Sequence, residues 1–358
     1  MPLKLVYTTL RNRYNGLLNT ITPTIIVVIM FTFICSQDGR AQDLIFSQFY
    51  NAPLHNNSAF AGTVAYPKFA ASYRLQWPGI TKTYESYGLT YDQYFPKKNI
   101  GLGAVIVNDD QGAGTITTNK LKGVFSYNLR FNVDWQLKFG FGAGYVQDVL
   151  DWDKLVFFDQ LDPQFGELDR NGNRNPTLEQ RPTDLNSGYF DIDMGVVLFN
   201  PSYYVGISMF HLNGPSNGFV SQPSDPSAAN LPILLSIQAG YQIVMDKDNK
   251  GNPTTFISPN LLYATQNGFH QVNVGAYLQK DAVFGGLWMR HTIENLDAWI
   301  VSAGVYFNNF KVAYSFDITS SSLGLQNSGG SHEIGISMGL RQFEKKESKY
   351  NDCFSLFR

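Results

Sequence analysis

From residue 69 onward the chain alternates between apolar and polar side chains with a period of two. In Trp135–Val146, WQLKFGFGAGYV, the odd positions carry Trp, Leu, Phe, Phe, Ala and Tyr, while Gln136, Lys138, Gly140, Gly142 and Gly144 take even ones. An amphipathic helix needs spacings of three and four, and each glycine would weaken it. A period of two predicts a strand with unlike faces. The pattern recurs in about fourteen segments, near 69–77, 85–95, 100–108, 118–129, 135–147, 188–199, 203–211, 233–245, 256–265, 269–279, 282–291, 298–307, 310–318 and 331–340. Most run about 9 to 11 residues, the length of a tilted membrane strand.

Long and short connections alternate between these segments. PKKN, RFNVD, NPS, Lys280-Asp281 and Asn308-Asn309 are short; about 40 residues from Asp148 to Ser187 and about 21 from Leu212 to Pro232 are long. Outer-membrane barrels have short periplasmic turns and long outer loops, and an even strand number. DKDNKGNPTT and Gln266-Asn267-Gly268 break the rule, one too long and one too short. A soluble barrel would have to fill a lumen fourteen strands wide, when side chains close only about eight. The apolar face, with Phe139 and Tyr314 on it, is therefore assigned to lipid, and Trp135 and Tyr145 to the two membrane interfaces. The expectation is an all-β, about 14-stranded antiparallel transmembrane barrel with large extracellular loops. Its lumen-facing ionisable residues are Arg74, Asp92, Lys138, Asp191, Asp193, Arg290, Lys311, Asp317 and Glu333. Both signs are present, which suits a hydrated or plugged interior, mutual bracing, or a surface that grips a polypeptide better than an ion-selective pore. As a lumen-facing change, Lys138→Gln should be tolerated.

The first 41 residues differ from the rest. Lys4, Arg11 and Arg13 precede the apolar run Ile25–Cys35, which is too short to span a bilayer, and Gly39 and Ala41 are the small residues expected before a cut at Gln42. The expected division is a signal peptide at 1–41, a periplasmic or plug segment at 42–68, the barrel at 69–340 and a polar periplasmic tail at 341–358. Removal of the leader takes Cys35 with it and leaves Cys353 alone, so no internal disulfide is expected.

Charged residues are 16 % with net charge −2, and no basic face suggests a nucleic-acid partner. The five histidines lack metal-ligand spacing and no serine sits in a G-x-S-x-G turn, so neither an enzyme nor a cofactor or metal site is expected. DRNGNRN (169–175) places oxygens as a calcium loop does, but Arg174 stands where glycine is needed and Gln180 where glutamate is needed, which favours a polar turn. The long loop from Asp148 is more apolar than solvation requires. Trp152, Phe157, Phe158 and Phe165, with Asp159 and Asp162 beside them, are the candidate partner-binding residues.

FSQFYNAPLHNNSAFAG (46–62) resembles the opening of the PorP/SprF family of type IX secretion outer-membrane proteins, with Ser58 where the family often has proline. YRLQWPG (73–79), GLGAVIVNDDQG (101–112), YYVGISMFHLNGPS (203–216) and 312–338, which contains GSHEI, resemble further blocks in the same order. The resemblance implies an outer-membrane barrel of Bacteroidota that serves type IX secretion and gliding. Such a barrel would bind, anchor or help export a large secreted surface adhesin through that protein's C-terminal domain. A core component contacting the periplasmic machinery, or a diffusion pore, are the alternatives.

Overall fold

The computed structural model describes residues 43–340 apart from 65, 133–134, 220–229, 250–252 and 293–294. The expected leader, the expected tail and the middle of the 212–232 loop lie outside the described residues. Fourteen antiparallel strands form one closed sheet. They are β1 (Lys68–Gln76), β2 (Tyr84–Phe95), β3 (Ile100–Gln111), β4 (Ile116–Arg130), β5 (Gln136–Leu150), β6 (Asn186–Phe199) and β7 (Tyr203–Phe210). β8 has two segments, Leu234–Tyr241 and Ile243–Lys247. Then follow β9 (Pro253–Gln266), β10 (Phe269–Lys280), β11 (Val283–Thr292), β12 (Leu296–Phe307), β13 (Phe310–Thr319) and β14 (Ser331–Gly339). Each strand pairs with the next, and β14 returns to β1 in the register Lys68↔Gly339 to Gln76↔Ser331, so no edge is left along the ring.

Two predicted boundaries move for identifiable reasons. β4, β5 and β6 reach 14 to 15 residues because they continue past the membrane on the long-loop side. The long connection DKDNKGNPTT arises because β8 and β9 extend beyond the short-turn rim: the second segment of β8 pairs with β9 alone.

The faces follow the alternation. Phe139, Phe141 and Tyr145 are exposed on the outside of β5, whereas Gln136 and Lys138 are buried inside. Aromatic contacts mark both ends of the apolar belt. Trp135–Tyr203 (5.2 Å) and Tyr203–Tyr241 (6.3 Å) lie near the short turns; Tyr73–Tyr87 (5.0 Å) and Tyr145–Phe190 (5.5 Å) lie near the long loops. Replacing Phe139 or Tyr314 with arginine should cost roughly 2 to 4 kcal/mol at the bilayer midplane and less near the interfaces. Heat-modifiable electrophoretic mobility and outer-membrane yield will measure this; normal assembly of both variants would mean the faces are assigned one residue out of register.

Candidate functional site

The lumen is occupied by the chain itself. Residues 43–64 run through it from the long-loop half to the short-turn rim, from which β1 starts. Phe46, Phe49, Tyr50, Ala59, Phe60, Ala61 and Val64 are each at most 3 % exposed, and so are the polar Ser47, Gln48, Asn51, Asn57 and Ser58. A segment this polar can be buried only if the wall supplies hydrogen-bond partners.

At the long-loop end, His211, just beyond β7, bridges Asp43 of the plug (2.5 Å) and Asp191 of the wall (2.9 Å). Further in, the Ser47 and Gln48 N–H groups donate to the two carboxylate oxygens of Glu333, at 2.7 and 2.9 Å. Ser47 Oγ donates to Asp317 (2.7 Å) and accepts from Arg74 (2.6 Å). Arg74 also pairs with Asp317 (2.9 Å) and Glu333 (3.2 Å), and Arg290 pairs with Asp317 (2.9 Å) and Asp297 (2.5 Å). Two guanidinium groups and the carboxylates thus neutralise one another around a plug serine, which is what allows charge to persist in a dry interior.

Tyr50 stacks on Trp288 (4.8 Å, 5° between planes) and on Tyr277 (5.5 Å, 26°), and those two rings also approach each other at 6.4 Å. The Lys311 ammonium faces the rings of Phe284 (4.7 Å), Tyr306 (5.3 Å) and Tyr50 (5.4 Å), an arrangement in which ring faces replace water around a cation.

The middle of the plug sits on glycines. A Cβ at Gly140 would stand 2.1 Å from the Ala59 backbone nitrogen, and one at Gly195 would stand 2.0 Å from Asn57 Oδ1, so only glycine leaves room for the plug there. Asn57 Oδ1 also caps Ala59 N–H, while its Nδ2 donates to Gln238 Oε1 (3.3 Å) and the Ile207 carbonyl (3.3 Å). Ser58 hydrogen-bonds Asp193, which Lys122 neutralises at 2.8 Å. At the short-turn end Lys138 donates to the carbonyls of Ala61 and Gly62, and Asp92 accepts the Gly62 N–H at 2.8 Å.

All nine ionisable residues assigned to the interior are thereby placed. Arg74, Arg290, Asp317 and Glu333 meet in one network; Asp92 and Lys138 hold the Ala61–Gly62 turn; Asp191 and Asp193 grip Asp43, through His211, and Ser58; Lys311 stands apart among the rings. Lys138 is 0 % exposed. The expected tolerance of Lys138→Gln is therefore withdrawn, because the amine satisfies two buried carbonyls. Residues the alternation did not single out are Ser47, Asn57, Lys122 and His211; Lys122 alone could have been found, since it lies on the inner face of β4 with Ser126 and Asn128.

The candidate partner residues form a separate surface at the long-loop end, between β5 and β6. Trp152 and Phe157 pack on each other at 4.9 Å, and Phe158 is 93 % exposed. Phe165 lies under Arg170 at 5.6 Å. Asp159 accepts the Leu178 N–H (2.6 Å) and the Thr177 hydroxyl, and the first of these bonds holds its carboxyl below the usual range. Asp162 accepts the N–H groups of Gln164 and Phe165. Both acids thus shape the loop, and this loop is fastened to its neighbours by Lys154, which donates to Ala113, and by Lys82, which donates to Lys154. The polar turn at 169–175 is built the same way, with Asp169 accepting from Asn171 and Asn173. Among the described residues no group of three or more His, Cys, Asp or Glu could hold a metal ion.

Solved structures with similar folds include porins and toluene transporters. The Ralstonia pickettii toluene transporter TbuX shares 10 % identity at a TM-score of 0.47, over 81 % of this chain and 92 % of its own. The Pseudomonas putida toluene transporter TodX gives 10 %, 0.44, 80 % and 91 %. The KdgM porin in complex with disordered oligogalacturonate gives 10 %, 0.36, 76 % and 98 %. These likenesses concern the barrel alone. No curated protein matches the chain. Residues 38–338, which include the plug and the fourteen strands up to the penultimate residue of β14, match the family described as type IX secretion system membrane protein PorP/SprF, and the chain belongs to that family as an outer-membrane β-barrel.

Proposed function

We propose that this barrel is a non-enzymatic docking platform that holds a large secreted surface adhesin, through that protein's C-terminal domain, at the long-loop face. The observation that carries the reading is a filled lumen beneath an apolar outer loop. Phe158 and Leu178 are each 93 % exposed, and Leu161, Phe165 and Leu168 are 42 to 51 % exposed beside them. Large apolar groups held out by an ordered loop are the usual anchors of an interface. A diffusion pore fits poorly, since residues 43–64 occupy the water path it would need.

Because Trp152 and Phe157 support each other, the informative substitution is Phe158→Ser with Leu178→Ser. Barrel abundance should stay normal while the surface protein that co-purifies with the wild-type barrel falls about tenfold or more, as expected for the loss of one or two anchors. Unchanged co-purification from an intact barrel would remove this loop as the docking site. A second reading, a link to periplasmic machinery, is favoured by the hairpin beyond the short-turn rim, where Ile243 and Met245 are 45 % and 57 % exposed. Substituting those two with serine would then weaken co-purification of periplasmic components and leave the surface protein in place.

A further inference from the structure

We propose that the lipid-facing wall holds one lipid of the outer leaflet, with an acyl chain in a hollow at Ala71 and an amine-bearing headgroup at Glu85 and Asp110. The hollow encloses about 270 Å³ on the outside of β14, β1, β2 and β3. Along the row that crosses the barrel at its level, Ile336, Leu89 and Ile106 project from β14, β2 and β3, and they are 42 to 46 % exposed. Between Ile336 and Leu89, β1 offers only the methyl group of Ala71. The floor lies at Ser72, whose side chain is turned inward and buried, and at Gly88, which has none. Tyr73, Tyr87 and Ile334 border the hollow one level nearer the long loops.

Hydrocarbon meets this face, because the hollow lies inside the apolar belt, below the Tyr73–Tyr87 pair at its outer boundary. Its volume is under the roughly 300 Å³ at which pockets for drug-sized ligands begin, and it suits a stretch of one chain. A flexible chain there supplies the dispersion contacts that the walls otherwise lack. The head end is equally defined. Glu85 stands opposite Leu75, four residues beyond Ala71, which is about 13 Å along the strand. Half of the hydrocarbon core is about 15 Å, so a chain in the hollow brings its headgroup to Glu85 within one leaflet. Asp110 is the cross-strand neighbour of Glu85, and Asn108 and Asn119, bonded at 2.8 Å, complete the polar rim. Lys82 and Lys154 nearby donate to the carbonyls of Lys154 and Ala113. Two neighbouring carboxylates favour an ammonium and disfavour a further anion, which selects an ethanolamine headgroup over a glycerol one. Because the hollow bridges β14 and β1, the bound chain packs over the line along which the barrel closes.

The test uses the purified barrel in phosphatidylcholine vesicles that carry a trace of phosphatidylethanolamine with a diazirine in its acyl chain. After photolysis, peptide mapping should place the label at Ala71–Tyr73 and Leu89. Unlabelled phosphatidylethanolamine should compete about fivefold better than phosphatidylglycerol, the scale of an exposed ion pair. Ala71→Trp, or Ala71→Leu if the larger side chain prevents assembly, should lower that label about tenfold or more and leave label elsewhere on the belt unchanged. Glu85→Gln with Asp110→Asn should abolish the preference between headgroups. Label spread evenly round the barrel and indifferent to Ala71 would overturn the inference, as would equal competition by the two lipids against the wild-type barrel. Label present in the vesicles but absent from native outer membranes carrying the same probe would also overturn it, and would assign the hollow to a neighbouring protein.

Discussion

Planar-bilayer recordings of the purified wild-type barrel should be silent, and Gly140→Leu should turn it into an ion-conducting channel or prevent its assembly. The reason is a backbone distance. A Cβ at Gly140 would stand 2.1 Å from Ala59 N and 2.3 Å from the Ser58 carbonyl carbon, and the clashing atoms are main chain that no rotamer change can move. The strand is held on both sides, by β4 and β6, so the plug must give way. Fourteen strands emptied of their plug enclose more space than side chains fill. Single-channel conductance measures the outcome, and deletion of residues 44–62 is the positive control. A conducting wild-type barrel would mean that the plug leaves a continuous path, and a silent, well-assembled Gly140→Leu barrel would mean that Ala59 is not seated on β5.

The second large effect concerns Asp317. It is 0 % exposed and accepts from Arg74, Arg290 and Ser47. Asp317→Ala removes the charge that balances two buried guanidinium groups and should destabilise the barrel by about 3 to 5 kcal/mol, the usual consequence of leaving one side of a buried pair uncompensated. Asp317→Asn keeps the shape and one acceptor and should fall between the two. Urea titration of detergent-folded protein, followed by tryptophan fluorescence, gives the values. A loss below about 1 kcal/mol for the alanine variant would indicate that water already solvates the network, because exposed pairs contribute no more than that.

The wall was legible in the sequence because lipid and interior impose opposite demands on neighbouring positions, and a period of two records them. Phe310, Val312 and Tyr314 against Lys311, Ala313 and Ser315 is enough to orient β13. The plug was not legible in that way. FSQFYNAPLHNNSAFAG has no period, because each residue answers to a different strand: Ser47 to β13 and β1, Tyr50 to β10 and β11, Asn57 to β6 and β7, Gly62 to β2. The resemblance to a family opening identified the segment without saying where it goes. Inner-face charges could be enumerated from alternation, but their pairing depends on register across the ring; Arg74 and Glu333 face each other only because β14 closes on β1. Likewise the glycines of β5 could be assigned to the interior, yet nothing in the strand itself reveals that Gly140 is empty to make room for Ala59. In the outer loop, composition pointed to exposed aromatics. It could not separate Phe158, which projects, from Phe157, which leans on Trp152, nor show that Asp159 is spent on Leu178.

The closing strand has one more consequence, which concerns time. Ser47 and Gln48 find their acceptor 286 and 285 positions downstream, on the last strand, and Arg74 of the first strand joins the same carboxylate. The Glu333 anchor for Ser47 and Gln48 is therefore complete only when the ring is shut. Contacts this far apart in sequence form late and slowly, since the whole intervening chain must be ordered first. Seating of Ser47 and Gln48 is consequently tied to the sealing of the seam, and a barrel still open between β14 and β1 lacks the carboxylate that receives them.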